Sequence, residues 1–138
     1  MSKPEPQVQK FMTTQPYSID AGKTVAEAQA EMDRHGIRHL PVMEDGKLTG
    51  IISDRDIKLV TSLVDSEPAL LRVKDICQEH PYIVDPQTHL GEVAGTMAEK
   101  RYGSALVVQN GKLVGILTLV DICSALVKIL ETRFHPQS

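Results

Sequence analysis

Two short runs in this 138-residue chain combine a hydroxyl and a carboxylate at the same spacing. Ser53 precedes Asp56 by three residues, and Thr118 precedes Asp121 in the same way. Each run follows an apolar stretch that indicates a strand, and it begins a stretch with helical periodicity. A carboxylate can accept hydrogen bonds from two hydroxyl groups of a ribose, and a helix N-terminus offers free N–H groups to a phosphate. The pattern is therefore compatible with nucleotide binding.

The same spacing is also that of a plain helix cap. In a capping box the hydroxyl accepts a backbone hydrogen bond, and the carboxylate satisfies the return donor. Capping explains either motif when it is taken alone. Its occurrence twice, at equivalent positions, favours a ligand role. The two interpretations are compatible if the cap rearranges slightly when a ligand binds.

The two motifs belong to an internal duplication with a constant shift of 65 residues. The shift aligns residues 8–57 with residues 73–122 without a gap. Each copy indicates the order β-α-β-β-α, because an extended segment, a helix, two strands joined by a tight turn and a closing helix follow one another. One copy would expose too much apolar surface. We therefore predict an α/β fold of two tandem β-α-β-β-α repeats, packed by pseudo-twofold symmetry into one module.

The capping residues, glycines and apolar runs of each copy predict where its elements lie. The first copy is expected to have an extended segment at 17–19, a helix that Thr24 and Glu27 cap, and strands at 37–43 and 48–52. The second is expected to have an extended segment at 82–84 and strands at 104–108 and 113–117. Gly36 and Gly103 are expected to end the first helix of each copy. The apolar faces of those helices comprise Val25, Ala28 and Met32, and Leu90, Val93 and Met97.

The domain boundaries follow from the same alignment. We expect the first repeat at residues 8–64 and the second at 73–130. The linker at 65–72 is expected to be mostly helical on its approach from Lys58, with a break near Ser66-Glu67-Pro68, because a proline disfavours helix at the residue before it. Residues 1–7 and 134–138 are expected to be disordered.

These residues resemble a tandem pair of cystathionine-beta-synthase (CBS) domains, a Bateman module, of the stand-alone bacterial type. The resemblance covers about residues 8 to 130. The sequences that carry it are Thr24–Ala28, Gly36–Val42, Gly46–Ile57 and Gly111–Ile122. The combination is specific, although each piece alone would be weak.

The resemblance implies a regulatory module that binds an adenosine-containing ligand of the AMP, ADP and ATP class in clefts between the repeats. In the family motif a glycine is followed by two apolar residues, a Ser or Thr, two variable residues and an Asp. The hydroxyl and the carboxylate of this motif hold the ribose and a phosphate, and an extended segment of the opposite repeat contacts the adenine. The corresponding residues are Gly50, Ser53, Asp56, Tyr82 and Ile83 for one cleft, and Gly115, Thr118, Asp121, Tyr17 and Ser18 for the other.

The two clefts are not expected to be equal. Arg38, His39 and Arg55 lie near the first motif in the repeat alignment, and an arginine can bind a phosphate with two hydrogen bonds. The equivalent residues of the second repeat, Gly103, Ser104 and Val120, carry no positive charge. We expect the better phosphate site where Arg38 and His39 converge. Alternatively, Arg55 is a solvated side chain in the first turn of its helix.

Composition and motifs argue against other classes of protein. The net charge of −3 and the 4% aromatic content do not favour nucleic acid or an anionic membrane as a partner. Cys77 and Cys123 form no C-x-x-C motif, and Gly36 interrupts the helical spacing of His35 and His39, so we expect no metal site. No nucleophile elbow or phosphate loop is present, so we expect no enzyme. An N-terminus without an apolar segment predicts a cytoplasmic protein.

The sequence thus predicts a non-catalytic sensor that changes its conformation or its dimer arrangement on binding. No cofactor is expected beyond the regulatory nucleotide, which could carry magnesium. The apolar faces of the closing helices suggest a homodimer, or else they cover their own sheets; they include Ile57, Val60, Leu63, Ile122, Leu126 and Ile129. An effector protein is expected but is not identified by the sequence. The alternative function is a ligand-free, homodimeric interaction scaffold.

Overall fold

A computed structural model of the chain describes residues 4–63 and 67–135. The chain divides into two compact units. Pro16–Pro81 forms the first unit, and residues 4–15 with 82–135 form the second unit. Each unit contains most of one repeat together with the N-terminal segment of the other repeat.

The first unit has a three-stranded sheet. Its elements are β2 (Ile19–Asp20), α1 (Val25–His35), β3 (His39–Glu44), β4 (Lys47–Ser53), α2 (Asp54–Leu63) and α3 (Val73–Ile76). The strand order is β2-β3-β4, with β2 and β3 parallel and β3 and β4 antiparallel. The connection from β2 to β3 runs through α1, as a parallel pair requires. α2 follows β4 directly, so the end of β4 is also the start of a helix.

The second unit repeats this plan and adds a strand. Its elements are a 3-10 turn (Val8–Lys10), β1 (Thr13–Thr14), β5 (Ile83–Val84), α4 (Leu90–Lys100), β6 (Ser104–Gln109), β7 (Lys112–Thr118) and α5 (Leu119–Phe134). The strand order is β1-β7-β6-β5, and β1 pairs antiparallel with β7. The predicted α/β class with two β-α-β-β-α repeats is confirmed.

Each unit has its own apolar core, and the helix faces predicted from the sequence lie in it. Val25, Ala28 and Met32 of α1 are buried beside β-strand residues such as Leu40 and Ile52. The corresponding α4 residues, Leu90, Val93 and Met97, are buried in the second core. Truncating one of these larger side chains to alanine typically costs about 2–5 kcal/mol.

The two sheets share the same hairpin geometry. Asp45 and Gly46 have φ of 52° and 77°, and Asn110 and Gly111 have φ of 53° and 76°. Two successive positive φ angles are those of a type I′ turn, which suits the twist of the flanking strands. Both predicted turns are confirmed.

The end of the second repeat's first helix differs from the prediction. α1 ends at Gly36, in the left-handed conformation with φ of 63°, as expected. α4 instead ends at Arg101, with φ of 60°, and not at Gly103. The shift of 65 residues places Arg101 on Gly36. The chain therefore uses the same stop in both units, although the second position lacks the glycine that favours it.

Some predicted boundaries need correction. Tyr17 and Ser18 precede β2, and Tyr82 precedes β5, so the first strands are shorter than expected. Leu63 is the last described residue of α2, and residues 64–66, where the predicted linker begins, lie outside the described residues. The following residues 68–71 form turns and a bend. At the termini, residues 1–3 and 136–138 lie outside the described residues. Pro6 accepts a backbone hydrogen bond from Leu90, and Phe134 ends α5.

Candidate functional site

In each unit the candidate residues gather where the last strand ends and a helix begins. In the first unit Gly50 and Ser53 lie on β4, and Asp56 lies in the first turn of α2. In the second unit Gly115 and Thr118 lie on β7, and Asp121 lies in the first turn of α5. We call these the first and second half-sites. The strand brings the hydroxyl to the helix N-terminus, where backbone N–H groups are left without helical partners.

A segment from outside the repeat passes close to the motif glycine in both units. Gln78 forms an antiparallel bridge with Ile51, and Thr13 pairs with Ile116. A Cβ at Gly50 would collide with the Gln78 carbonyl and lie 3.2 Å from the Cys77 sulfur. A Cβ at Gly115 would lie 3.1 Å from the Thr13 carbonyl. The glycines are therefore needed for this close approach of two backbones.

Sequence reasoning missed these two leading segments, residues 12–14 and 77–78. The repeat alignment could have identified these segments, because the shift of 65 residues aligns Met12 with Cys77 and Thr13 with Gln78. A sulfur-containing side chain therefore approaches the motif glycine in both units: Met12 faces Gly115, and Cys77 faces Gly50. The Cys77 thiol is half-buried, and this burial raises its pKa. The thiol is consequently protonated at neutral pH, as expected for a structural cysteine.

At the second half-site the carboxylate of the motif is fully engaged. Asp121 Oδ2 accepts hydrogen bonds from the Thr118 backbone N–H at 2.9 Å and from the Thr118 hydroxyl at 3.1 Å. The Asp121 N–H donates to the Thr118 hydroxyl at 3.4 Å, which completes a capping box. The Thr13 hydroxyl also donates to Asp121 Oδ1 at 3.3 Å. The capping interpretation therefore describes this motif well.

At the first half-site the carboxylate of the motif is less constrained. The Ser53 hydroxyl accepts a hydrogen bond from the Asp56 N–H at 3.1 Å, so the cap is present. Among residues 4–63 and 67–135, no group donates a hydrogen bond to the Asp56 carboxylate. The described residues therefore leave the acceptor capacity of this carboxylate unused.

Arg38, which directly precedes β3, and His39, the first residue of β3, have different surroundings. The Arg38 side chain is 79% exposed, and its Nη1 lies 4.0 Å from Asp54 Oδ2. His39 pairs in register with Ser53 and is partly buried. Burial lowers the pKa of His39, against the opposing effect of the Asp56 and Asp54 carboxylates. His39 is therefore neutral at pH 7, and Arg38 and the exposed Arg55 supply the positive charge.

Asp54 is a site residue that sequence reasoning did not single out. Its side chain is only 13% exposed, and it accepts hydrogen bonds from Lys58 at 2.9 Å and from Gln29 at 3.0 Å. These two hydrogen bonds are the main cause of a lowered pKa at Asp54; burial opposes them, and the nearby charges of Lys58 and Arg38 add smaller lowering effects. A charged carboxylate therefore stands beside the Arg38 guanidinium.

Of the residues proposed for adenine contact, Tyr17, Ser18 and Ile83 are exposed and Tyr82 is partly buried. All four lie before or at the first strand of their repeat. Tyr17 stacks on His35 with ring centroids 3.6 Å apart, and His35 Nε2 lies 3.1 Å from Glu31. Tyr82 packs against Tyr102 at 5.3 Å. Tyr17 and Ser18 belong to the first unit, and Tyr82 and Ile83 to the second. Their contact with a ligand remains a prediction.

Two searches of the described residues bear on other kinds of site. Within residues 4–63 and 67–135, no three His, Cys, Asp or Glu side chains cluster in a way that could hold a metal ion. In the same part of the chain, no helix has the length and apolar character needed to cross a membrane.

Comparison with known proteins matches nearly the whole chain to one family. The model of the CBS domain family matches residues 8–61 and again residues 73–128. The chain is 30% identical to the CBS domain-containing protein YhcV of Bacillus subtilis, over 93% of this chain and 98% of YhcV. It is 31% identical to an inosine-5′-monophosphate dehydrogenase of Korarchaeum cryptofilum, over 88% of this chain but only 25% of that enzyme.

Solved structures show the same fold. AcuB from Vibrio cholerae superposes with a TM-score of 0.85 at 28% identity, covering 98% of this chain and all of AcuB. CBSX2, solved in complex with AMP, superposes with a TM-score of 0.74 at 26% identity, covering 89% of this chain and 97% of CBSX2.

Proposed function

This chain belongs to the CBS domain family, and from that premise we propose that it is a regulatory module that senses an adenosine-containing nucleotide through its two half-sites. The observation that carries the proposal is the Asp56 carboxylate, which has no donor among the described residues and lies in the first turn of α2. A charged acceptor left free at a helix N-terminus is suited to a ligand that offers hydroxyl groups and a phosphate.

The ribose and the phosphate of a nucleotide each have a matching group in the first half-site. The Asp56 carboxylate would accept the two ribose hydroxyls. The positive end of the α2 dipole and the Arg38 and Arg55 guanidinium groups would hold the phosphate. The AMP complex of CBSX2 supports this ligand class, since that relative shares the fold over most of this chain.

The second half-site offers the same ribose acceptor with fewer positive charges. Gly103, Ser104 and Val120 stand where the first repeat has Arg38, His39 and Arg55. Binding there also competes with the hydrogen bonds that Asp121 already accepts from Thr118 and Thr13. We therefore expect weaker binding at the second half-site, in line with the inequality predicted from the sequence.

We further propose that the chain is non-catalytic and works as a homodimer. The enzyme that it resembles matches over only a quarter of that enzyme's length. Ile57 is buried in its own unit, but Leu63, Leu126 and Ile129 of the predicted apolar faces are exposed. An amphipathic helix with its apolar side in water favours association with another surface. Regulation then requires the ligand to bind one arrangement of the dimer better than another.

The decisive experiment is calorimetric titration of the purified, ligand-stripped protein with AMP, ADP, ATP and S-adenosylmethionine, with and without magnesium. We expect saturable binding that Asp56→Ala weakens at least tenfold, because the variant removes the ribose acceptor. The Asp33→Ala variant, which changes an α1 carboxylate outside the half-site, is the matched control. Absence of binding by all four ligands at millimolar concentration would instead support the alternative, a ligand-free interaction scaffold.

A further inference from the structure

The first half-site is backed by a polar network that joins β3, α1 and α2. Asp54 lies at its centre and accepts hydrogen bonds from Lys58 on α2 and Gln29 on α1. The Asp54 backbone N–H also donates to the Arg38 carbonyl at 2.9 Å. This backbone contact keeps the Asp54 carboxylate close to the base of the Arg38 side chain.

The two ends of the Arg38–Asp54 pair differ in mobility. Asp54 is largely buried and held by two hydrogen bonds, and the same two bonds keep it ionised. Arg38 is mostly exposed, and its 4.0 Å contact is long for an ion pair. Arg38 can therefore turn to a phosphate, but the negative charge of Asp54 stays where it is.

The second repeat shows that the fold does not need this network. The residues equivalent to Gln29, Arg38, Asp54 and Lys58 are small or apolar; they are Ala94, Gly103, Leu119 and Cys123. The β7–α5 junction nevertheless forms as the β4–α2 junction does. The half-buried Asp54 carboxylate and its polar partners occur in one copy alone, which points to a role at that copy's site.

We propose that Asp54 sets the charge selectivity of the first half-site, so that this half-site prefers a nucleoside monophosphate to the corresponding triphosphate. This inference rests on the proposed function and names its ligand more closely. Asp54 offsets part of the positive charge that Arg38 and Lys58 together bring to the site, so fewer phosphate charges are needed to balance it. Each further phosphate adds negative charge near a carboxylate that cannot move away.

The test is a comparison of AMP and ATP affinities in wild-type protein and Asp54→Asn, in magnesium-free buffer at low ionic strength. Asparagine keeps the size of the side chain and can still accept the Lys58 hydrogen bond. We expect the ratio of ATP to AMP affinity to rise about three- to tenfold, and the rise to shrink in high salt because solvent ions screen the charge. Asp33→Asn is the matched control, since Asp33 also accepts a hydrogen bond from Gln29.

A second variant covers the case in which Asp54→Asn does not fold. The triple variant Gln29→Ala, Asp54→Leu and Lys58→Ala imitates the apolar set with which the second repeat folds. It removes one negative and one positive charge, so the net charge of the chain is unchanged. A rise in the ATP to AMP ratio in this variant would show that release of Arg38 is the cause.

The outcomes separate the two proposals. An unchanged or lowered ratio in variants that still bind AMP overturns the selectivity proposal alone, and so does an equal rise in Asp33→Asn. Failure of wild-type protein to bind either nucleotide overturns the proposed function and the selectivity proposal with it. A rise confined to the Asp54 variants supports both.

Discussion

The two half-sites are built on the same strand–helix junction, but they use their carboxylates differently. In the second unit Asp121 is bonded to Thr118 and Thr13, and it stabilises the start of α5. In the first unit Asp56 accepts no hydrogen bond from the described residues, while a neighbouring carboxylate, Asp54, carries the structural contacts. One motif can therefore serve mainly as a helix cap in one copy and remain available for a ligand in the other.

The largest difference is expected at the motif glycines. Gly50→Ala should destabilise the protein by about 2–3 kcal/mol, because its Cβ collides with the rigid Gln78 backbone. Gly115→Ala should cost about 1 kcal/mol, since the flexible end of Met12 can move and the Thr13 carbonyl is less crowded. Urea unfolding measures both. Gly95→Ala, whose Cβ would meet no atom within 4 Å on α4, is the control and should be neutral or stabilising. Equal costs at Gly50 and Gly115 would contradict this account.

The two aspartates provide a sharper comparison. Asp121→Ala should lower the free energy of unfolding by about 1 kcal/mol, because it removes the acceptor of a capping box. Asp56→Ala should change stability by much less, since only its backbone N–H takes part in the cap. Denaturant titration of each variant provides the stability, and AMP titration provides the binding. If Asp56→Ala proved the more destabilising variant, the Asp56 carboxylate would not be free in solution.

Much of this fold could be predicted from the sequence, because the duplication presents the sequence pattern of each element in two copies. The helix faces at Val25 and Leu90 and the turn at Asn110-Gly111 are local patterns, and they are found as predicted. The stop of α4 at Arg101 was missed because a residue without glycine's freedom adopts a left-handed conformation there. The equivalence with Gly36 would have revealed it.

The site was less predictable than the fold because its contacts are not local in sequence. Gln78 lies 28 residues after Gly50, and Thr13 lies 108 residues before Asp121. Neither contact follows from helical or strand periodicity. The sequence identified Arg38 as a cation near the motif, but only the folded unit shows that Asp54 stands beside it. The identity of the adenine contacts remains a prediction.

The smallest expected difference concerns pH and His39. Burial lowers the pKa of His39 in the folded state, so the unfolded chain binds more protons as the pH falls below about 6.5. The free energy of unfolding is therefore highest above that pH, where His39 is neutral in both states. It decreases as the pH falls toward the lowered pKa of the folded state. Asp54 does not contribute in this window, because its lowered pKa matters only below its ordinary value of 3.8.

The measurement is urea unfolding at pH 7.5 and pH 5.5. His39→Gln should lose less stability between these pH values than wild-type protein, because glutamine does not titrate. His80→Gln, at an exposed position of the same unit, is the control. A wild-type pH dependence that His39→Gln leaves unchanged would show that another group is responsible. Ser104, which stands at the position of His39 in the second unit, does not titrate in this range and should add nothing to this dependence.

The leading segments have a consequence for the origin of the chain. In each unit a short segment that belongs in sequence to the other repeat packs against the motif glycine. A protein with a single copy of the repeat would carry that segment on its own N-terminus and could exchange it with another molecule. Such exchange is domain swapping, which turns a monomer into an obligate pair. Gene duplication would then have joined two swapped partners into one polypeptide.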